Sequence, residues 1–217
     1  MRFLDTWTQL PPLDLARLLL PALCFGLVIG IPGRTAARVG SAGVALSLLL
    51  VPEMLPAPLL LGWVGLWGLV AWQVGIAPRC AGAPIVRRHG LVESGTIGLV
   101  LGLALLALLV AGIARQDMPA AEGRRASYGL LFLCLGLLHL MLRRHIVRSA
   151  IAWTALGLGS QVMERVARDA LLPGAASLSW GVLIATAIAA ALAIRLGRVR
   201  ERVVASAWVG DAHDLHD

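Results

Sequence analysis

Four polar side chains in the second half of a strongly apolar sequence have the chemistry that proton movement requires: His139, His145, Gln161 and Glu164. A histidine exchanges protons near neutral pH because its unperturbed pKa is about 6.5. Polar and ionisable groups within apolar spans are costly, so each marks a functional position by default. These four residues are therefore the candidate proton-path residues. For His139 the alternative is a side chain near a helix end that bonds to neighbouring backbone.

Glu164 stands close in sequence to two polar partners. It follows Gln161 by three residues and precedes Arg168 by four, so on a helix these side chains share one face. A carboxylate and a guanidinium at this spacing can form an ion pair. The ion pair is the preferred interpretation of Glu164, and a carboxylate that loads protons is the alternative.

Three tryptophans, Trp63, Trp67 and Trp72, follow one another within a single apolar run. Trp63 and Trp67 are four residues apart and therefore lie on one side of a helix. Such a side could contact a quinone or lipid tails, whereas tryptophan near the end of a span is typical of an anchor at the membrane interface. The sequence leaves both interpretations open.

The sequence carries no motif for catalysis, nucleotide binding or metal binding. It lacks a glycine-rich phosphate loop, an HExxH helix, a GxSxG turn and a cluster of His and Cys. Its cysteines, Cys24, Cys80 and Cys134, are too far apart for a CxxC site or a disulfide framework. The end of the chain, residues 211–217, has metal-ligating residue types but is a terminal polar segment. We therefore predict no catalytic residue, no metal ligand and no cofactor in this chain.

The elements that position these side chains are predicted to be membrane-spanning helices. Of 217 residues, 59% are hydrophobic and 14% are charged, and the mean hydropathy is +0.83, so lipid must be the solvent for most of the chain. A span needs about 20 apolar residues, which predicts an all-α, polytopic protein of about seven spans. A single membrane domain, residues 15–202, would lie between an extracytoplasmic segment, residues 1–14, and a polar cytoplasmic tail, residues 203–217. The helices are expected near residues 15–31, 39–55, 59–76, 96–113, 127–142, 146–163 and 175–196.

Arginine supplies all 19 of the Lys and Arg side chains, and the net charge is +7. Twelve of the 19 fall on the side to which helices one, three, five and seven run. Positive charge is enriched on the cytoplasmic side, so the N-terminus is predicted outside and the C-terminus in the cytoplasm. The arginines are scattered between apolar runs, which argues against nucleic-acid binding. Those predicted to anchor the topology are Arg143, Arg144, Arg148, Arg195 and Arg198.

Glycines within the spans are candidates for close helix packing, because small residues let helices approach one another in a membrane. Gly98 and Gly102 form a GxxxG pattern in the fourth span, and Gly157 and Gly159 lie in the sixth. We predict that these four positions lie at helix–helix contacts.

The segment from Leu137 to Arg202 resembles a known family. It reads LLHLMLRRHIVRSAIAWTALGLGSQVM and, after a short polar loop, GVLIATAIAAALAIRLGRVRER. This pattern resembles the membrane component E of hydrogenase-4 type complexes, whose last helices are similar to the K subunit of complex I and the C subunit of Mrp antiporters. Total length, seven spans and an outside N-terminus agree with that family. The matching positions are Arg143, Arg144, His145, Ile146, Val147, Arg148 and Gly159-Ser160.

The resemblance implies a membrane-arm subunit of a complex I-related, ion-translocating redox assembly in the bacterial inner membrane. In the family, buried carboxylates of the last two helices serve the proton path, and none of the matching side chains here can ionise. The resemblance therefore implies a scaffold or coupling element in the bilayer, with other membrane subunits as partners, among them an antiporter-like large subunit. Quinone or metal centres would belong to those partners. The positions matched to the carboxylates are Gly157 or Thr154 and Ala185 or Thr186.

Two other functions stay open on the sequence alone. A small transporter or channel would need substrate-facing polar groups, broken helices or an internal repeat, and no convincing repeat is found. The chain could also be an accessory membrane subunit of an unrelated respiratory or photosynthetic complex. A non-catalytic subunit of an oxidoreductase-type complex is preferred over an enzyme in its own right.

Overall fold

A computed structural model describes residues 11–31, 33–76, 100, 104, 107–108, 111, 119–142, 145–171 and 180–204. The described residues are all-helical and include no β-strand. The singly described residues between 100 and 111 are also helical. We number the helices α1 Pro12–Gly30, α2 Arg34–Leu49, α3 Ala57–Gly75, α4 Ala120–Leu142, α5 Ile146–Leu171 and α6 Gly181–Val204.

Proline and glycine mark the ends of the first helices. Pro12 opens α1 and Pro58 lies in the first turn of α3, where a missing N–H costs no bond within the helix. Between α1 and α2, Gly33 has a φ of 122°, a backbone conformation that residues with a Cβ rarely adopt. The chain reverses around this glycine, and α1 and α2 pack against each other as neighbours.

The described helices run alternately between two ends of the bundle, which we name the Glu201 end and the Asp14 end. Arg34 at the start of α2 meets Glu201 near the end of α6, and Arg124 at the start of α4 meets Asp14 at the start of α1. The Glu201 end therefore holds the C-termini of α1, α3, α4 and α6 and the N-termini of α2 and α5. It follows that α3 ends at the Glu201 end whereas α4 begins at the Asp14 end.

Helices adjacent in sequence pack as two groups of three, the first triplet (α1–α3) and the second triplet (α4–α6). α2 packs against α1 and α3, and α5 packs against α4 and α6. The triplets meet where α3 contacts α5 and α6 and where α1 contacts α4. α5 is thus covered on several sides, and Ala150, Ile151, Ala155 and Leu158 along it are buried.

Several observed helices extend beyond the apolar runs that predict them. α4 begins at Ala120, inside the stretch 114–126 that hydropathy predicts as a polar loop, and α5 continues to Leu171 and α6 to Val204. Arg, Glu and Ala favour helix as strongly as Leu does, so a helix need not end where its hydropathy falls. The fourth predicted helix, residues 96–113, lies outside the described residues except for the single helical positions.

Four of the described helical segments are long and apolar enough to cross a membrane: α1, α3, residues Ala121–Leu142 of α4 and Gly181–Val203 of α6. α2 has 16 residues, and α5 carries several polar and charged side chains. Both are middle helices of their triplets, so neighbouring helices cover surface that lipid would otherwise contact. The helices identify a membrane protein, and the number of spans beyond these four stays a prediction.

The outer surface of α6 is a continuous apolar stripe. Ile184, Ile188, Leu192 and Leu196 recur every four residues, and each is more than half exposed. Water-soluble proteins rarely expose contiguous apolar surface of this kind. The stripe therefore suits lipid or another membrane helix.

Candidate functional site

A buried carboxylate lies where α2, α5 and α6 meet at the Glu201 end. Arg34 Nη2 donates to Glu201 Oε1 at 3.3 Å, and His145 Nε2 lies 4.0 Å from the same oxygen. Glu201 is only 8% exposed, and a carboxylate removed from water needs a paired charge, which Arg34 supplies. We call these three residues the Glu201 cluster. It joins the starts of α2 and α5 to the end of α6.

Arg148 of α5 closes the end of α1. Its Nη2 donates to the carbonyl oxygen of Val28 in the last turn and lies 3.4 Å from the carbonyl oxygen of Ile31. The residue four positions after Val28 is Pro32, which has no N–H to offer that carbonyl. Arg148 is 7% exposed, so its positive charge acts at the negative end of the α1 dipole with little water between them.

Arg198 of α6 closes the end of α3 in the same way. Its Nη2 donates to the carbonyl oxygen of Gln73 at 2.9 Å and to the side-chain oxygen of the same residue at 2.6 Å. Basic side chains at helix C-termini satisfy carbonyls that the helix itself leaves unpaired. The second triplet therefore supplies caps for two helices of the first.

The Asp14 end carries ion pairs between the triplets and within the second triplet. Arg124 lies 3.6 Å from Asp14 of α1, and Arg125 lies 2.9 Å from Asp169 of α5. Arg125 also donates to the backbone carbonyl of Glu53, in the turn between α2 and α3, at 3.2 Å. These side chains are partly exposed, so each pair contributes little to stability. Together they border an open cleft of about 550 Å³.

Glu164 forms the ion pair that its sequence spacing predicts. Arg168 donates to Glu164 Oε1, and Gln161 Nε2 donates to Glu164 Oε2 at 3.0 Å. Both carboxylate oxygens thus accept from side chains of the same helix. The arrangement matches the structural interpretation of Glu164 as a paired charge.

Five ring side chains form a continuous column in the interior, which we call the aromatic column: Tyr128, Phe132, Trp67, Phe25 and His139. Successive ring centroids along it are 5.5, 6.2, 6.0 and 5.8 Å apart. Each of the five residues is at most 1% exposed. Tilted and edge-on ring pairs at these distances attract one another beyond the area they bury. The column joins α1, α3 and α4 across the boundary between the triplets.

The aromatic column corrects the interpretation of the tryptophans. Trp63 and Trp67 are 0% exposed, whereas Trp72 is 66% exposed. The prediction that Trp63 and Trp67 contact lipid or quinone, or anchor the membrane interface, is wrong, because that side of α3 faces the second triplet. Only Trp72 of the three faces outward.

Glycine brings the helices of the second triplet into backbone contact. A Cβ built at Gly157 of α5 would lie 2.0 Å from Thr186 Oγ1 of α6. A Cβ at Gly159 would lie 2.7 Å from the carbonyl oxygen of Gly129 of α4. Both distances are shorter than real Cβ contacts, so α4 and α6 approach α5 at separations that only glycine permits there.

The structure places the four proton-path candidates in three separate locations. His145 belongs to the Glu201 cluster, and His139 ends the aromatic column against Phe25. Gln161 and Glu164 pair on α5 toward the Asp14 end. The candidates therefore do not form one site.

The other predicted positions have mixed outcomes. Arg148 and Arg198 cap helices of the first triplet, and Arg195 is exposed on α6. The remaining two anchors and the GxxxG pair lie outside the described residues: Arg143, Arg144, Gly98 and Gly102.

Sequence reasoning missed the Glu201 cluster. Glu201 was grouped with the charged run that closes the last helix, although it is the only carboxylate among the arginines between residues 195 and 202. A lone acid in a basic helix end is a signal for a specific partner. Its partner Arg34 is 167 residues away, a separation that no local pattern reports.

The fold and these side chains define an all-helical membrane protein whose charged groups collect at its two ends. No group of His, Cys, Asp and Glu that could hold a metal occurs in the part of the chain that the structure describes. Comparison with protein-family models, curated proteins and solved structures finds no match to this chain.

Proposed function

We propose that the chain is a non-catalytic membrane subunit, a scaffold or coupling element, of a complex I-related, hydrogenase-4-like ion-translocating redox assembly. It lies in the bacterial inner membrane and has no proton-carrying carboxylate of its own within its spans. The ion path runs through an antiporter-like neighbour, and quinone or metal centres belong to partner subunits. The resemblance of residues 137–202 supports the kind of assembly, and the geometry supports the passive role.

The contact between Gly157 and Thr186 is the observation that carries the passive role. These are positions to which the family's buried carboxylates are matched, and the 2.0 Å from a built Cβ to Thr186 Oγ1 leaves no room for a larger side chain. Thr154 donates to the carbonyl of Ala150 at 2.8 Å, and Thr186 donates to that of Val182 at 2.7 Å. Both hydroxyls are thus used within their own helices.

The distribution of acids supports the same role. A carboxylate that carries protons through a membrane would lie within the bundle, facing a path between helices. Each carboxylate among the described residues lies instead near one of the two ends. Five lie toward the Asp14 end, and Glu201 lies at the other: Asp14, Glu53, Glu122, Glu164, Asp169 and Glu201.

Seven spans with an extracytoplasmic N-terminus are part of the proposal. Because α3 ends at the Glu201 end and α4 begins at the Asp14 end, the chain between residues 76 and 119 connects opposite ends, which agrees with one further span. Among the described residues, seven arginines lie at the Glu201 end and five at the Asp14 end. The positive-inside rule then favours the cytoplasm for the Glu201 end.

The first test is purification of the full chain in mild detergent from the cells that make it. We expect other membrane subunits in stoichiometric amounts, an antiporter-like large subunit among them, when the preparation is measured by native mass spectrometry. A chain that purifies alone or only as a homo-oligomer would contradict the proposal. Partners from an unrelated respiratory or photosynthetic complex would refute the complex I-related part.

A second test addresses proton transport by the chain itself. Reconstituted alone in liposomes that contain a pH-sensitive dye, it is expected to give no proton flux above protein-free vesicles, because the described core offers no connected set of exchangeable groups. Glu164→Gln, His139→Gln and the end-facing control Glu122→Gln should behave alike. Flux that is lost in the first two variants and kept in the control would show a proton path and overturn the passive role.

A further inference from the structure

A groove on the outer surface between α3 and α6 concentrates positive charge at the Glu201 end. It has a volume of about 900 Å³, and Arg195, Arg198 and Arg202 line its α6 side. These arginines are three and four residues apart, so they share one side of the helix. Gln73 of α3 faces them and holds Arg198 through two hydrogen bonds.

The other two arginines of the groove have no acidic partner within the protein. In the ranges that the structure describes, no carboxylate pairs with Arg195 or Arg202. The only described carboxylate at this end is Glu201, and it pairs with Arg34 of α2. A ligand with a negative charge would supply the missing counter-charge.

Apolar side chains form the walls beside the arginines. Leu69 of α3 and Val199 of α6 line the groove and are 53% and 49% exposed. A small inorganic anion gains nothing from such walls, whereas a molecule with an anionic head and an apolar tail contacts both kinds of surface. The groove lies at the ends of two helices that are long and apolar enough to span a membrane, where lipid headgroups would be.

We propose that this groove binds the phosphate headgroup of an anionic phospholipid. Arg195 and Arg202 pair with the phosphate, Arg198 stays fixed by Gln73 and adds its charge, and the upper acyl chains lie against Leu69 and Val199. Basic pockets between membrane helices bind acidic headgroups in this manner. The inference requires that the chain lies in a membrane and is independent of the partner subunits.

The test measures lipid retention by the full chain in native mass spectrometry after equilibration with phosphatidylglycerol or phosphatidylcholine of identical acyl chains. The wild type should retain phosphatidylglycerol preferentially, and Arg195→Gln or Arg202→Gln should each lower that retention about fivefold. The matched control is Arg200→Gln, which removes the same charge from the same helix at a residue that does not line the groove. It should leave retention unchanged.

Three outcomes would overturn the proposal. Equal retention of both lipids by the wild type would show that no anionic site exists. An equal loss in Arg200→Gln would show diffuse attraction rather than a groove. Displacement of phosphatidylglycerol by millimolar inorganic phosphate would show a site for free anions. Each variant is compared only as monodisperse protein with unchanged helical circular dichroism, and the Arg195→Lys variant, which keeps the charge, should retain the lipid.

Discussion

Replacing Gly159 with alanine is expected to lower the free energy of unfolding by about 3 kcal/mol, the upper part of the usual range for overpacking. The new Cβ would lie 2.7 Å from the backbone carbonyl oxygen of Gly129, and backbone cannot rotate away as a side chain can. α4 and α5 would have to separate along their contact. The measurement is an unfolding titration in mixed detergent micelles, followed by helical circular dichroism.

Gly68→Ala is the matched control for this prediction. A Cβ at Gly68 of α3 has nothing within 4 Å, so the same chemical change adds no contact. Alanine has the higher helix propensity, and the control should be as stable as the wild type or slightly more stable. Equal effects of the two substitutions would contradict the close approach of α4 and α5.

The second large effect is expected at the centre of the aromatic column, where Trp67→Ala should cost about 3 kcal/mol. Trp67 contacts both Phe25 and Phe132, with ring centroids 6.0 and 6.2 Å away, so its loss opens a cavity between the triplets. Membrane helices gain little from the hydrophobic effect and depend on van der Waals packing, so the cavity is felt directly. The same micelle titration measures it.

Trp72→Ala removes an identical side chain from the same helix at a position that is 66% exposed. It should change the free energy of unfolding by less than about 0.5 kcal/mol, as surface substitutions usually do. Trp67→Phe keeps a ring in the column and should recover part of the loss. If Trp72→Ala destabilised the protein as much as Trp67→Ala, the two sides of α3 would have been assigned incorrectly.

Hydropathy predicted the helices better than their ends or their neighbours. The positions of the described helices follow from apolar runs, since any segment that buries its backbone in lipid must satisfy its hydrogen bonds within itself. The starts of α4 and the ends of α5 and α6 did not follow, because the charged residues there are good helix formers. Helix ends depend on capping contacts, which hydropathy does not report.

The side chains of the candidate site divide along the same line. The pair between Glu164 and Arg168 was predictable because both residues lie on one helix, four positions apart. The pairing of Glu201 with Arg34 and the burial of Trp67 were not, because they depend on which helices become neighbours. A sequence periodicity shows that a helix has two different sides, and it does not show what covers each side.

The cap that Arg148 places on α1 bears on the order of events during biosynthesis. Val28 and Arg148 are 120 residues apart, so at about 5–20 residues per second the carbonyl is made roughly 6–24 s before its partner. Throughout that interval the end of α1 must be solvated by water or by the insertion machinery. The N-terminal half therefore enters the bilayer unfinished, and its maturation waits for the ribosome to complete α5.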